Sequence, residues 1–148
     1  MKARVWTVLA NRMKGHREHR VPLSEAAIAV LEQAKEFRRN DYVFPGDMRP
    51  SLSNMSLLML LRRMDSADLT AHGFRSTFRD WAAERTNCPS EVAEMALAHA
   101  VSSKVEAAYR RGDLFDKRRE LMDAWAKYCI EGEPVADSKV VRPRFGRA

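Results

Sequence analysis

The chain has 148 residues, enough for one compact domain and too few for two comfortable ones. Hydrophobic residues make up 45% and charged residues 31%, which excludes wholesale disorder, and no apolar run approaches the roughly 20 residues that span a bilayer. Lys and Arg total 26 against 20 Asp and Glu, a formal charge of +6 that points to a polyanionic partner.

Met1 to Ala10 lacks the apolar core of a secretory signal, so a cytoplasmic location is expected. Val5-Trp6-Thr7-Val8-Leu9 is β-branched and aromatic, and apolar character returns at Arg20-Val21-Pro22-Leu23. Residues 4–23 therefore read as two strands joined by a long basic loop around Lys14-Gly15. Ser24 is a suitable N-cap for a helix running to about Arg38, with Ala27, Ile28, Leu31 and Ala34 at helical spacing. Tyr42-Val43-Phe44 reads as a short strand ended by Pro45-Gly46. Ser51 or Ser53 is expected to cap a helix through Met64, with Leu57, Leu60, Leu61 and Met64 as its apolar stripe.

A further helix starts around Thr70-Ala71-His72-Gly73, and Phe74, Phe78 and Trp81 should face the core. Asn87-Cys88-Pro89 breaks it, and Ser90 is expected to cap the next helix, which carries Val92, Met95, Ala96 and Leu97. Ala100 to Ser103 reads as a turn, and Lys104 to Arg111 as a helix stopped by Gly112-Asp113. The last helix, about Leu114 to Ile130, carries Leu114, Leu121, Met122, Trp125 and Tyr128 or Cys129. Residues 1–130 are thus one domain, mainly α with a small N-terminal β-hairpin. Residues 131–148, poor in apolar side chains and rich in unpaired basic ones, read as a flexible basic tail. Cys88 and Cys129 alone supply neither a disulfide framework nor a zinc site.

Taken singly, the chemically interesting residues have ordinary readings. His72, Arg75 and Arg79 share one helix face that water could simply solvate, although His72 and Arg75 sit in the first turn, where free N–H groups favour an anion. His99 reads as a helix-end charge, Tyr109 as packing and Lys14 as a surface lysine. Taken together they match phosphoryl transfer at a DNA backbone, which needs a nucleophile, donors for the equatorial oxygens and an acid for the leaving oxygen. Tyrosine can be the nucleophile, His72, Arg75 and His99 the donors, and lysine the acid. No acidic cluster with metal-ligand spacing and no phosphate-binding loop stands out, so neither a metal nor a nucleotide cofactor is expected.

His72-Gly73-Phe74-Arg75, Leu97-Ala98-His99 and Ala107-Ala108-Tyr109-Arg110-Arg111 together resemble the catalytic domain of tyrosine recombinases, the integrases of prophages and genomic islands. Arg12-Met13-Lys14-Gly15 with His19-Arg20-Val21-Pro22-Leu23-Ser24 resembles the hairpin of the same family, and Arg118-Arg119-Glu120-Leu121-Met122 with Trp125-Ala126 extends the likeness to about Tyr128. The resemblance implies a DNA breaking-rejoining catalytic domain, truncated on its N-terminal side. It implies Tyr109 as the nucleophile of a 3′-phosphotyrosyl link, Arg75 as the second catalytic arginine, and His72 and His99 as phosphate donors. Lys14 is the implied acid for the 5′-oxygen. Candidate DNA contacts are Arg12, His16, Arg17, Arg79, Lys104 and Arg110. The implied partner is a double-stranded attachment site, held by a homotetramer of the full-length enzyme. A first catalytic arginine is expected on a helix upstream of the hairpin, and neither Arg4 nor Arg12 has the helical context to replace it. The chain therefore reads as the C-terminal part of an integrase. The alternatives are an inert DNA-binding remnant, a type IB topoisomerase with the same nucleophile chemistry, and a plain helical interaction domain.

Overall fold

The computed structural model describes residues 4–99 and 112–132. The element order is β1 (Val5–Val8), a 3₁₀ turn at Ala10–Arg12, β2 (His19–Pro22), α1 (Glu25–Glu36), α2 (Ser56–Arg63), α3 (Gly73–Arg85), α4 (Ser90–Ala96) and α5 (Phe115–Glu131). The described part is mainly helical with one small antiparallel sheet, in agreement with the expected class. In that sheet Trp6 pairs with Val21 and Val8 with His19. Pro22, which has no N–H to give a ladder, stands at the end of its strand. Ser24 caps α1 as expected, its hydroxyl accepting from the Ala27 N–H at 3.3 Å.

The core lies between α3, α4 and α5. Phe78, Trp81 and Ala82 of α3 meet Val92 and Ala93 of α4 and Leu121 of α5. Trp125 and Tyr128 close the cluster from α5, with the Trp81 and Trp125 rings 5.0 Å apart and the Phe78 and Trp125 rings edge to face at 5.4 Å. Tyr128, not Cys129, turns inward, and Cys129 is exposed. Thr86 ends α3 by bonding back to the Ala82 carbonyl at 2.6 Å, and its hydroxyl then accepts the Cys88 N–H at 3.1 Å.

Several expectations are corrected. Tyr42-Val43-Phe44 forms no strand; all three are exposed, and the segment makes a single bridge between Pro45 and Ser51. The turn between them needs Gly46, since a Cβ there would collide with the carbonyl oxygens of Arg49 and Ser51. Neither Ser51 nor Ser53 caps α2, which begins at Ser56 after Met55. Of the α2 stripe only Leu61 is buried; Leu57, Leu60 and Met64 are exposed, because no described element covers that side. Phe74 is 52% exposed, one turn short of where α3 enters the core. Pro89, not Ser90, holds the cap position of α4. The expected turn at 100–103, the helix at 104–111 and the tail beyond Gly132 lie outside the described residues.

Arg118 of α5 is a charged side chain in an apolar setting, 1% exposed. Its Nε donates to the Asp113 carbonyl at 2.8 Å, its Nη1 to the Arg20 carbonyl at 2.7 Å and its Nη2 to the Asp113 carboxylate at 2.9 Å. Arg20 adds two bonds to the same carboxylate oxygen and lies over the Phe115 ring. Leu114, at φ +51, takes a left-handed conformation that costs a non-glycine about 1–2 kcal/mol. It turns the chain between Asp113 and α5, so that Asp113 lies beside the helix it precedes. Arg118→Leu should destabilise the domain by about 3 kcal/mol, because it strands the Arg20 and Asp113 carbonyls and removes one of the two arginines that hold the Asp113 carboxylate. Urea denaturation measures this, and a loss under about 1 kcal/mol would show that the clamp is ornamental.

Candidate active site

The site is built at the facing ends of α3 and α4. Thr70 closes the start of α3, its carbonyl and hydroxyl both accepting the Gly73 N–H at 3.0 and 3.1 Å. Arg75 then projects from the first turn, half-buried. Its Nε donates to His99 Nε2 at 3.1 Å, and its Nη2 donates to the Leu97 carbonyl at the end of α4.

His99 is placed by the way α4 stops. Ala98 takes φ +53, the His99 N–H bonds the Glu94 carbonyl at 3.0 Å and the Ala98 N–H bonds the Met95 carbonyl at 3.1 Å. This is a Schellman ending, with the left-handed residue an alanine where glycine would escape a cost of about 1 kcal/mol. Such an ending brings the residue two past the helix against the one three from its end. Here those residues are His99 and Glu94, and the Glu94 Oε2 meets His99 Nδ1. The other oxygen, Oε1, accepts from Arg79 Nε at 2.6 Å. Hydrogen bonds from Arg79 and His99 hold the Glu94 carboxyl below the usual carboxylate range, so it is ionised at neutral pH.

The structure thus joins Arg75, His99 and Arg79, of which the third is exposed and paired with Glu94. It does not join His72 to them: the His72 ring stands at the α3 cap position, exposed, and makes no hydrogen bond among the described residues. Lys14, Arg12, His16 and Arg17 are all exposed on the hairpin loop, without an ion pair among the described residues. Arg4 is paired with Glu25 at the foot of α1. Tyr109, Lys104 and Arg110 lie outside the described residues. No three His, Cys, Asp or Glu side chains gather as around a metal ion, and no helix is long and apolar enough to cross a membrane, among the described residues.

The family model described as the phage integrase family matches residues 1–114. The chain belongs to that family. It is 35% identical over 125 residues to Prophage integrase IntA of Escherichia coli strain K12, covering 82% of this chain and 30% of that protein. It is 31% identical over 133 residues to the Integrase of Shigella phage Sf6, covering 86% and 34%. Prophage integrase IntZ of Escherichia coli strain K12 is 34% identical over 125 residues, covering 81% and 30%. The integrase-family chain spans about a third of the length of these relatives. No solved structure matches it significantly.

Two residues of this integrase-family site escaped the sequence reading. Glu94 carried a signal, since a carboxylate five residues before a histidine at a helix end can pair with it across a Schellman turn. His19 carried none. It lies in β2, where the Ala96 carbonyl at the end of α4 acts on its ring. Burial and the Arg118 charge push its pKa below the ordinary value of 6.5, against the opposing pull of the Ala96 carbonyl and Asp113. The folded chain therefore keeps His19 neutral while the unfolded chain binds a proton more readily. Stability should be fully present above the unfolded value and fall as pH drops below it towards the folded value. Urea midpoints at about pH 7.5 and about pH 5.5 measure this slope, and His19→Gln should flatten it. An equal slope in both chains would assign it elsewhere.

Proposed function

We propose that this chain is the phosphate-reacting part of a site-specific DNA recombinase that cuts and rejoins strands through Tyr109. The observation that carries the reading is the hydrogen bond from Arg75 Nε to His99 Nε2, which brings a guanidinium of α3 and an imidazole from the turn after α4 together at 3.1 Å. Paired forked and imidazole donors suit the equatorial oxygens of a phosphate in displacement. The net charge of +6 and the cluster of Arg12, Lys14, His16 and Arg17 on the hairpin loop support a duplex DNA partner.

In this reading the Tyr109 hydroxyl attacks the scissile phosphorus, passing its proton to a base, for which His72 is proposed. The bond to the 5′-oxygen breaks, and Lys14 gives that oxygen its proton. A 3′-phosphotyrosyl link and a free 5′-hydroxyl result. The covalent link conserves the phosphodiester's energy, so a second 5′-hydroxyl can reverse the reaction and join a new strand. Arg75 and His99 hold the two non-bridging oxygens throughout. The longer protein is proposed to act as a tetramer on two duplexes.

A nicked duplex that loses its 5′ fragment after cleavage tests the proposal. The chain should bind it weakly, in the range of about 10⁻⁴–10⁻⁶ M, with affinity falling steeply as salt rises. A covalent adduct should map to Tyr109 and vanish in Tyr109→Phe. Without the upstream arginine that the family resemblance implies, trapping should be about 10²–10³-fold slower than in a longer chain that carries one. An adduct that survives Tyr109→Phe would overturn the nucleophile assignment. DNA binding without an adduct in either length of chain would leave an inert DNA-binding remnant.

A further inference from the structure

Glu94 stands outside the reacting groups assigned above, yet it is the one carboxylate bonded to that cluster among the described residues. Its two oxygens are divided between two helices and a turn. Oε1 is held by Arg79 of α3, which fixes the carboxylate's rotation, and Oε2 is left to face His99 Nδ1. A carboxylate only accepts, so the hydrogen on that contact belongs to the ring. On the other side of the ring, Arg75 Nε can only donate, so Nε2 must present a lone pair. Both contacts are satisfied by one form of neutral imidazole, protonated at Nδ1. The other neutral form would set the Nδ1 lone pair against the Glu94 oxygen and the Nε2–H against the Arg75 N–H.

We propose that Glu94 is a positioning residue that fixes the tautomer and ring orientation of His99. The proposal rests on the reading of His99 as a phosphate ligand, because the fixed ring aims Nε2 at the space Arg75 also addresses. With Nδ1–H already committed to a carboxylate, His99 can donate to a phosphate oxygen only after taking up a second proton, at Nε2. Glu94 would then balance the charge of the imidazolium. The ring is therefore an acceptor for Arg75 while the site is free and a donor once a phosphate separates the two. Arg75 keeps its anchor on the Leu97 carbonyl through that exchange, since the contact uses Nη2 and not Nε.

The test is made on the 148-residue chain without DNA, so that it is separate from cleavage. Long-range proton–nitrogen correlation of ¹⁵N-histidine-labelled protein reads the tautomer directly at a pH where ordinary imidazole is neutral. The wild-type His99 should be predominantly Nδ1–H. Glu94→Ala should raise the Nε2–H fraction, the form an unconstrained imidazole prefers, since only the Arg75 contact then opposes it. Glu94→Gln should also lose Nδ1–H, because Arg79 can only donate and so claims the single amide oxygen, which leaves the amide N–H groups facing Nδ1. Unchanged indole signals of Trp81 and Trp125 verify the fold in each variant. A wild-type ring protonated at Nε2, or a tautomer ratio that Glu94→Ala leaves unchanged, would overturn the proposal. Neither result touches the assignment of Tyr109, and a failure to trap an adduct leaves the tautomer result standing.

Discussion

The guanidinium of Arg118 ties together parts of the chain as far as 98 residues apart. It bonds the backbone of β2 at Arg20 and both the backbone and side chain of Asp113, just after the undescribed segment that carries Tyr109. Burial works against its charge, and the Asp113 carboxylate works for it. Burial also pushes the Asp113 carboxyl up, but hydrogen bonding from Arg20 and the charges of both arginines outweigh this and hold it below its ordinary value. A buried pair of this kind adds little over a well-packed apolar one, yet breaking it is costly. Its value is geometric. Hairpin, Asp113 and α5 share one frame, so β2 and the start of α5 are anchored to the same atoms.

The second frame is the end of α4. Arg75 ties α3 to the Leu97 carbonyl, and Glu94 ties Arg79 and His99 to the last turn. The carbonyls at a helix end have no partners within the helix, so they can take donors from neighbouring elements. The left-handed Ala98 completes the turn at an energetic cost that the packed α4, with Val92 wholly buried, can bear. His19 of β2 feels both frames, the charges of Arg118 and Asp113 from one and the Ala96 carbonyl from the other.

Much of this was legible in the sequence. The hairpin, the Ser24 cap and the α3 pair Phe78 and Trp81 follow from local pattern, because each depends on near neighbours. Tyr42-Val43-Phe44 misled because β propensity needs a partner strand, and the turn at Gly46 provides only a single bridge. The α2 stripe misled in the same way, since periodicity marks an apolar face without supplying what covers it. Arg118 entered only as part of the family likeness, and its burial was not legible because it depends on acceptors from positions 20 and 113, which no local window contains. For the site, motif resemblance pointed to Arg75 and His99 together, while Glu94 emerged only when the turn at Ala98 folded His99 back upon it.

The central claim is that Arg75 and His99 form one phosphate-binding unit, with Glu94 behind it. The most direct measurement is a crystal structure of the chain on a nicked duplex. The account predicts that the phosphate at the nick lies within about 3 Å of both the Arg75 guanidinium and His99 Nε2, with the Glu94 contact to Nδ1 retained. A phosphate bound elsewhere, with Arg75 still donating to His99, would contradict it.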